Sequence, residues 1–222
     1  MMPTTEDLVR ILPHAILAGF AILVMVFEPF LPSKRKSLLG WLSIFAVIAS
    51  GAGLVRTSFS PGLAFGGSVA ADRFSFFFIA LSLLVAALTL LGSLQYLERD
   101  HIHHGEYYAL ILMATVGMCF MVSSTELIMV FLGLEISSLS TYVLAGFKRA
   151  DPLSNEASLK YFLLGSFATA FLLYGIAFLY GLTGTTNLFA LRDRMGASSG
   201  PLAWPPLAWV ALLFMFIGLA FK

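Results

Sequence analysis

Charge is scarce in this chain: Lys, Arg, Asp and Glu make up 11% of its 222 residues, where a soluble domain carries about 25%. Hydrophobic residues fill 59% of it and the mean hydropathy is +0.92. That composition excludes a soluble fold and points to a protein that uses the bilayer as solvent. An excess of charge of one sign is missing too. The 13 basic and 12 acidic side chains leave a formal charge of +1, without the basic field that grips nucleic acid. Cysteine is nearly absent: Cys119 stands alone, so it can form neither an intrachain disulfide nor a CxxC pair. This argues against iron–sulfur, structural zinc and dithiol chemistry in the chain. No Rossmann or P-loop glycine pattern occurs, and no low-complexity segment or boundary divides residues 1–222, which read as one membrane domain.

What the sequence does have is long apolar runs. A spanning helix needs about 20 mostly apolar residues to cross about 30 Å of hydrocarbon at about 1.5 Å per residue. Seven stretches qualify or nearly qualify: residues 11–31, 37–55, 74–97, 107–122, 126–147 and 159–182, and a seventh starting near Pro206 and cut short at Lys222. The predicted fold is therefore all-α and polytopic, with about seven transmembrane helices. The opening run is not a signal peptide, because Glu6 and Asp7 accompany Arg10 and no small-residue cleavage site follows. Residues 56–72 and 192–206, rich in Ser, Gly and Pro, read as external loops without fold of their own. Lys34, Arg35, Lys36, Arg99, Lys148, Arg149 and Lys160 fall on one side, and Arg10, Arg56, Arg73, Arg192 and Arg194 on the other. The excess of basic residues on the first side predicts that side to be cytoplasmic and the N-terminus external.

Ionisable groups at membrane depth are costly and mark functional positions by default. Glu135 is the clearest, near the centre of the fifth run, with Ser138 and Tyr142 at i+3 and i+7, so that one helix face carries a carboxylate and two hydroxyls. It is either a permanently protonated carboxyl bonded to another helix or a group that exchanges protons or pairs with a cation, and its depth favours the second. Lys222 lies 16 residues beyond Pro206, about 24 Å along a straight helix; spacing alone makes it a snorkelling interfacial lysine. Lys160, at the start of the sixth run, reads as headgroup-facing. His14 reads as a neutral histidine bonded to a neighbouring helix, and Glu28, before Pro29, as an interface carboxylate. His101, His103 and His104 cluster in a loop but lack the cysteines or carboxylates of a metal site. Cys119 reads as a small packing residue, and the 21 phenylalanines as packing or lipid-facing groups.

The stretches ELIMVFLGLEISSLSTYVLAGFKR and SNEASLKYFLLGSFATAFLLYGIAFLYGLTGTTNL closely resemble the fifth and sixth spans of the antiporter-like membrane subunits, subunit N in particular, of bacterial respiratory NADH:quinone oxidoreductase, complex I. The resemblance implies a membrane-arm subunit of about 14 helices in the bacterial plasma (inner) membrane. Such a subunit moves protons while quinone is reduced elsewhere in the complex. It implies no cofactor bound by this chain; NADH, FMN, iron–sulfur clusters and quinone belong to partner subunits. The implied partners are the other membrane-arm subunits, the lipid bilayer and protons, with no nucleic acid. In that family the glutamate of LGLE pairs with a lysine of a broken seventh helix, and the lysine of KYFLLG is also functional. Carried over, these are Glu135, Lys222 and Lys160, a proton relay. Lys222 thereby becomes a mid-membrane lysine, and the chain looks like an N-terminal fragment truncated in its seventh helix, the distal proton route lying beyond it. Two alternatives stay open: a subunit of a cation/proton antiporter or membrane-bound hydrogenase, and a scaffold whose buried Glu and Lys only register helices.

Overall fold

The structure, a computed structural model, describes residues 4–32, 36–99, 104–196 and 204–222; Lys34, Arg35, His101 and His103 lie outside the described residues. Helix α1 (Thr5–Arg10) opens with a capping box in which Thr4 and Asp7 bond to each other's backbone. The Thr4 backbone N–H, then its hydroxyl, hold the Asp7 carboxyl below its ordinary range. α2 (Leu12–Phe27) ends in a 3-10 turn, Glu28–Phe30, where Pro29 has no N–H to continue the helix. There follow α3 (Ser37–Ser58), α4 (Arg73–Arg99), α5 (Glu106–Ser123), α6 (Leu127–Ala145), α7 (Pro152–Thr183), α8 (Leu188–Gly196) and α9 (Pro206–Phe221). Six helices, α2 to α7, are long and apolar enough to cross a membrane, and α9, at 16 residues, is shorter. The seven apolar runs thus each became a helix. α9 is continuous from Pro206 to Phe221, so the helix break implied near Lys222 does not occur within it.

Three expectations need correction. α7 starts seven residues before the apolar run does, at Pro152, because Asp151 caps it and proline suits the first helical turn. Lys160 therefore sits inside a helix of 32 residues, about 48 Å long and well over the hydrocarbon thickness. Residues 56–72 hold a β-hairpin, β1 (Gly62–Ala64) against β2 (Val69–Ala71), with Leu63 opposite Ala70. Its tip turns through Phe65, Gly66 and Gly67 at φ 51°, 68° and 96°, a left-handed run that glycine favours. Residues 192–206 likewise include the end of a helix, α8. Three-residue strands and a nine-residue helix are too short to emerge from composition rich in Ser, Gly and Pro.

The hairpin straps the end of the bundle nearest α1. Thr125 N–H donates to the Ser68 carbonyl at 3.0 Å, Leu127 N–H to Thr186 at 2.9 Å and Leu188 N–H to Thr125 at 2.8 Å. Glu126, just before α6, accepts from the Thr186 hydroxyl and from Asn187 Nδ2. At the other end, Ser154 Oγ donates to the Ala145 carbonyl at 2.7 Å and Ser158 Oγ to that of Tyr142 at 2.8 Å. Both ends of α6 are thus hydrogen-bonded to neighbouring segments.

Two apolar cores sit side by side. Leu17, Val24, Leu90 and Leu112 are fully buried among α2–α5, and Leu134, Leu172, Ile176 and Ala211 join α6, α7 and α9. Between them α5 and α6 touch backbone to backbone at Gly117 and Gly133, the small-residue packing that membrane helices favour. The outward faces carry Trp41, Ile48, Leu84, Leu88, Phe167 and Phe216, all more than half exposed. Such apolar surface is a liability in water and a match to lipid. His14 of α2 shares a hydrogen bond of 3.1 Å with Ser123 Oγ of α5, the neighbouring-helix contact the sequence suggested. Glu28 pairs with Lys36 across the α2–α3 connection, and Cys119 is fully buried in the first core.

Candidate functional site

Helical spacing puts Glu135, Ser138 and Tyr142 on one face of α6, and α9 delivers Lys222 to that face. The delivery depends on close packing of α9 on α7. A Cβ on Gly218 would stand 2.8 Å from both the Ala168 carbonyl and the Leu172 nitrogen, and one on Gly175 2.7 Å from the Ala211 carbonyl. Only glycine fits against backbone at such range. The Lys222 Nζ donates to Ser138 Oγ and to Tyr142 Oη, each at 2.6 Å, and lies 3.8 Å from Glu135 Oε1. It also stands 5.0 Å from the centroid of the Tyr142 ring, within cation–π range. An ammonium has three N–H groups. Two are spent on hydroxyls, and the carboxylate is held as an ion pair, beyond the length of a direct hydrogen bond.

The Lys222 side chain is 9% exposed and that of Glu135 25%, so the ammonium is turned into the protein. An interfacial lysine would reach outward. α7 completes the site. Thr169 Oγ1 lies 2.9 Å from Glu135 Oε1 and 2.8 Å from the Gly165 carbonyl, donor to either. A Cβ at Gly165 would run into the Tyr142 phenol, so glycine there makes room for the ring that receives the lysine. Tyr161 and Phe162 pack edge-on against that ring at 4.6 and 5.9 Å. Lys160, on the same helix, forms an i,i+4 ion pair with Glu156, both side chains more than half exposed. The structure brings Glu135 and Lys222 together and leaves Lys160 outside their cluster.

Sequence reasoning missed Thr169 and Gly165. Thr169 is 34 residues from Glu135 on another helix, and no period links them. Its one signal is a hydroxyl four residues after a glycine in an otherwise apolar face. Chemically, the cluster is a carboxylate, an ammonium, a phenol and two aliphatic hydroxyls in one connected group. It can store a proton and pass it between neighbours. Among the described residues no three His, Cys, Asp or Glu side chains gather to hold a metal ion.

A bundle of helices long and apolar enough to cross a membrane, with an acid and a lysine facing each other inside it, makes a polytopic membrane protein with an internal ion pair. Residues 124–222 match the family described as NADH:quinone oxidoreductase/Mrp antiporter, TM, and the fold is that of an antiporter-like membrane subunit. Over 98% of its length it is 43% identical to NADH-quinone oxidoreductase subunit N 2 of Koribacter versatilis, covering 45% of that protein. It is 44% identical to subunit N 1 of Solibacter usitatus, again over 98% of this chain and 44% of the relative. A chain of respiratory complex I from Thermus thermophilus, solved with bound aureothin, superposes with a TM-score of 0.73 at 32% identity, over 94% of this chain and 43% of that one. A chain of the archaeal membrane-bound sulfane sulfur reductase shares the fold, with a TM-score of 0.78 at 24% identity over 96% of this chain and 44% of that one. This chain spans a little under half the length of the curated relatives it matches.

Proposed function

We propose that the chain is part of a proton-translocating membrane-arm subunit of an NADH:quinone oxidoreductase, in which Glu135 and Lys222 form a proton relay. In this reading it works in the bacterial plasma membrane with an external N-terminus, beside other membrane-arm subunits. Partner subunits hold NADH, FMN, iron–sulfur clusters and quinone, and the translocase activity belongs to the whole complex. The observation that carries the proposal is the Lys222 ammonium seated on Ser138 and Tyr142, 3.8 Å from the Glu135 carboxylate. The relatives at about 40% identity are named subunit N, which favours this reading over a stand-alone antiporter or a hydrogenase. Lys160, paired with Glu156 on the exposed early turns of α7, is proposed as a relay residue on the family resemblance alone.

Magnitudes support a gated step. Two unit charges at about 4 Å attract by about 4 kcal/mol at an effective dielectric constant of about 20, and doubling their separation halves that. Parting the pair to that distance therefore costs roughly 2 kcal/mol and closing it returns the same, comparable with the 2.3 kcal/mol or so needed to move one charge across 100 mV. A nearby carboxylate favours the charged form of an amine and low dielectric disfavours it. In the proposed relay, the parted and closed arrangements of the pair are the two states between which a proton is passed. Glu135→Gln and Lys222→Ala should each lower quinone-coupled acidification of membrane vesicles while leaving assembly intact. Their double variant should lose less than the sum, since groups that act as a unit are non-additive. Strictly additive losses would refute the pair.

Orientation has its own check. With Cys119→Ala as background, a single cysteine at Ala150, exposed between α6 and α7, should react with an impermeant thiol reagent only from the cytoplasmic side. One at Asp193, exposed on α8, should react only from outside. The reverse pattern would overturn the topology.

A further inference from the structure

One hydroxyl in the site has two acceptors and a single proton to give. Thr169 Oγ1 is 2.9 Å from Glu135 Oε1 and 2.8 Å from the Gly165 carbonyl four residues back on its own helix. A threonine hydroxyl is one donor with two lone pairs, so it cannot donate to both at once. We propose that Thr169 is a positioning residue that keeps Glu135 hydrogen-bonded in both of its protonation states without any movement of heavy atoms. This rests on the relay reading of the pair.

With Glu135 ionised, the Thr169 O–H donates to Oε1, and the Gly165 carbonyl keeps its ordinary helical partner. When Glu135 receives a proton, its new O–H donates to a lone pair on Thr169 Oγ1. The threonine proton then rotates about the Cβ–Oγ1 bond onto the Gly165 carbonyl. No covalent bond breaks on Thr169, and the arriving proton stays on the carboxyl. Both acceptor distances already fit, so the exchange needs only a hydroxyl rotation. Serine and threonine bond to the carbonyl four residues back routinely, which makes the resting place inexpensive. The Glu135 side chain is a quarter exposed, and its Lys222 partner lies beyond direct hydrogen-bond length. Thr169 is the side chain that bonds the carboxyl directly, and losing a hydrogen bond to a partly desolvated carboxyl is costly. The same arrangement holds the Glu135 carboxyl in place between α6 and α7, so that a change in its protonation need not move it.

The alternative is a static cross-link between α6 and α7 that serves one state only. Infrared difference spectroscopy on the assembled complex in lipid nanodiscs separates the two, with the Glu135 bands assigned by their loss in Glu135→Gln. Spectra are taken at alkaline pH, where the carboxylate stretch reports the ionised form, and at acid pH, where the carbonyl stretch reports the protonated one. Thr169→Val, which replaces the hydroxyl by a methyl group of similar size, should shift both bands, and Thr169→Ser should restore both. Thr169→Ala provides a second hydroxyl-free variant should valine fold poorly. In the assembled complex either hydroxyl-free variant should slow proton transfer about tenfold, as loss of a hydrogen bond to a charged group implies. A shift in only one band, or in neither, would overturn the proposal. Because the bands are read on resting protein, a failure of the Glu135–Lys222 relay in pumping assays would leave this measurement standing, and the converse also holds.

Discussion

Lys222→Arg should assemble normally and yet lose coupled proton transfer by about 10²-fold or more, the scale on which a positioned proton-transfer group contributes. Arginine keeps the positive charge and can still face Glu135, so an electrostatic or structural role for the side chain would survive the change. It does not give up its proton at any accessible pH. A group that must alternately hold and release a proton therefore fails when replaced by arginine. The contacts sharpen the contrast, since the Lys222 Nζ makes two hydrogen bonds of 2.6 Å to Ser138 and Tyr142, and a guanidinium can donate to both hydroxyls. The measurement is acidification of sealed vesicles driven by NADH oxidation, normalised to NADH:quinone activity in the same preparation. Near-normal pumping by a well-assembled variant would remove Lys222 from the mechanism.

Gly117→Leu should have the largest effect on stability. A Cβ at Gly117 would lie 2.5 Å from the Gly133 carbonyl oxygen and 2.5 Å from the Ser137 nitrogen. These are backbone atoms of α6, which cannot rotate aside, so the two helices must separate. Overpacking commonly costs about 1–3 kcal/mol. Here a whole side chain is forced into a backbone-to-backbone contact, and the loss should exceed roughly 3 kcal/mol, a value in the diagnostic tail of point mutations. Gly19→Ala and Gly92→Ala are the controls, because a Cβ at either position meets nothing within 4 Å. Those two should be neutral or stabilising by up to about 1 kcal/mol, as alanine is the better helix former. Detergent-titrated unfolding followed by circular dichroism would rank the three. Equal destabilisation by all three would show that the contact at Gly117 carries no special weight. The change should also disturb the Glu135–Lys222 cluster, since Ser137 directly precedes Ser138 on α6.

The site was half legible in the sequence. Glu135, Ser138 and Tyr142 share a helix, so the 3.6-residue period placed them on one face without a structure. Lys222 was ambiguous: measured along a straight helix it belongs at an interface, and the resemblance to antiporter-like subunits put it at depth. Spacing could not register that glycines at 175 and 218 let α9 lie against α7 and turn its last side chain toward α6. Thr169 and Gly165 depend on which faces of α6 and α7 meet, which is a tertiary fact. The helices themselves were plain because each is a long apolar run. The hairpin was not, since three-residue strands leave no alternation to count and their turn looks like any Gly- and Ser-rich loop. The apolar run leaves α7 seven residues short because its first turns are polar and its start is marked by the Asp151–Pro152 cap alone.

The tethering of α6 at its two ends decides which part of the machine can move. With Glu126, Thr125 and Leu127 tied to the α7–α8 linker on one side, and Tyr142 and Ala145 tied to the serines of α7 on the other, α6 behaves as a beam clamped at both supports. Sliding or turning it would break hydrogen bonds at both ends together. In the proposed relay the glutamate would then be the stator, and the lysine, on a flexible four-carbon stem, the moving arm. A mechanical signal arriving from elsewhere in the membrane would have to enter through α9 or its seat on α7, and a cross-link locking those two helices should stall the arm while leaving the stator untouched.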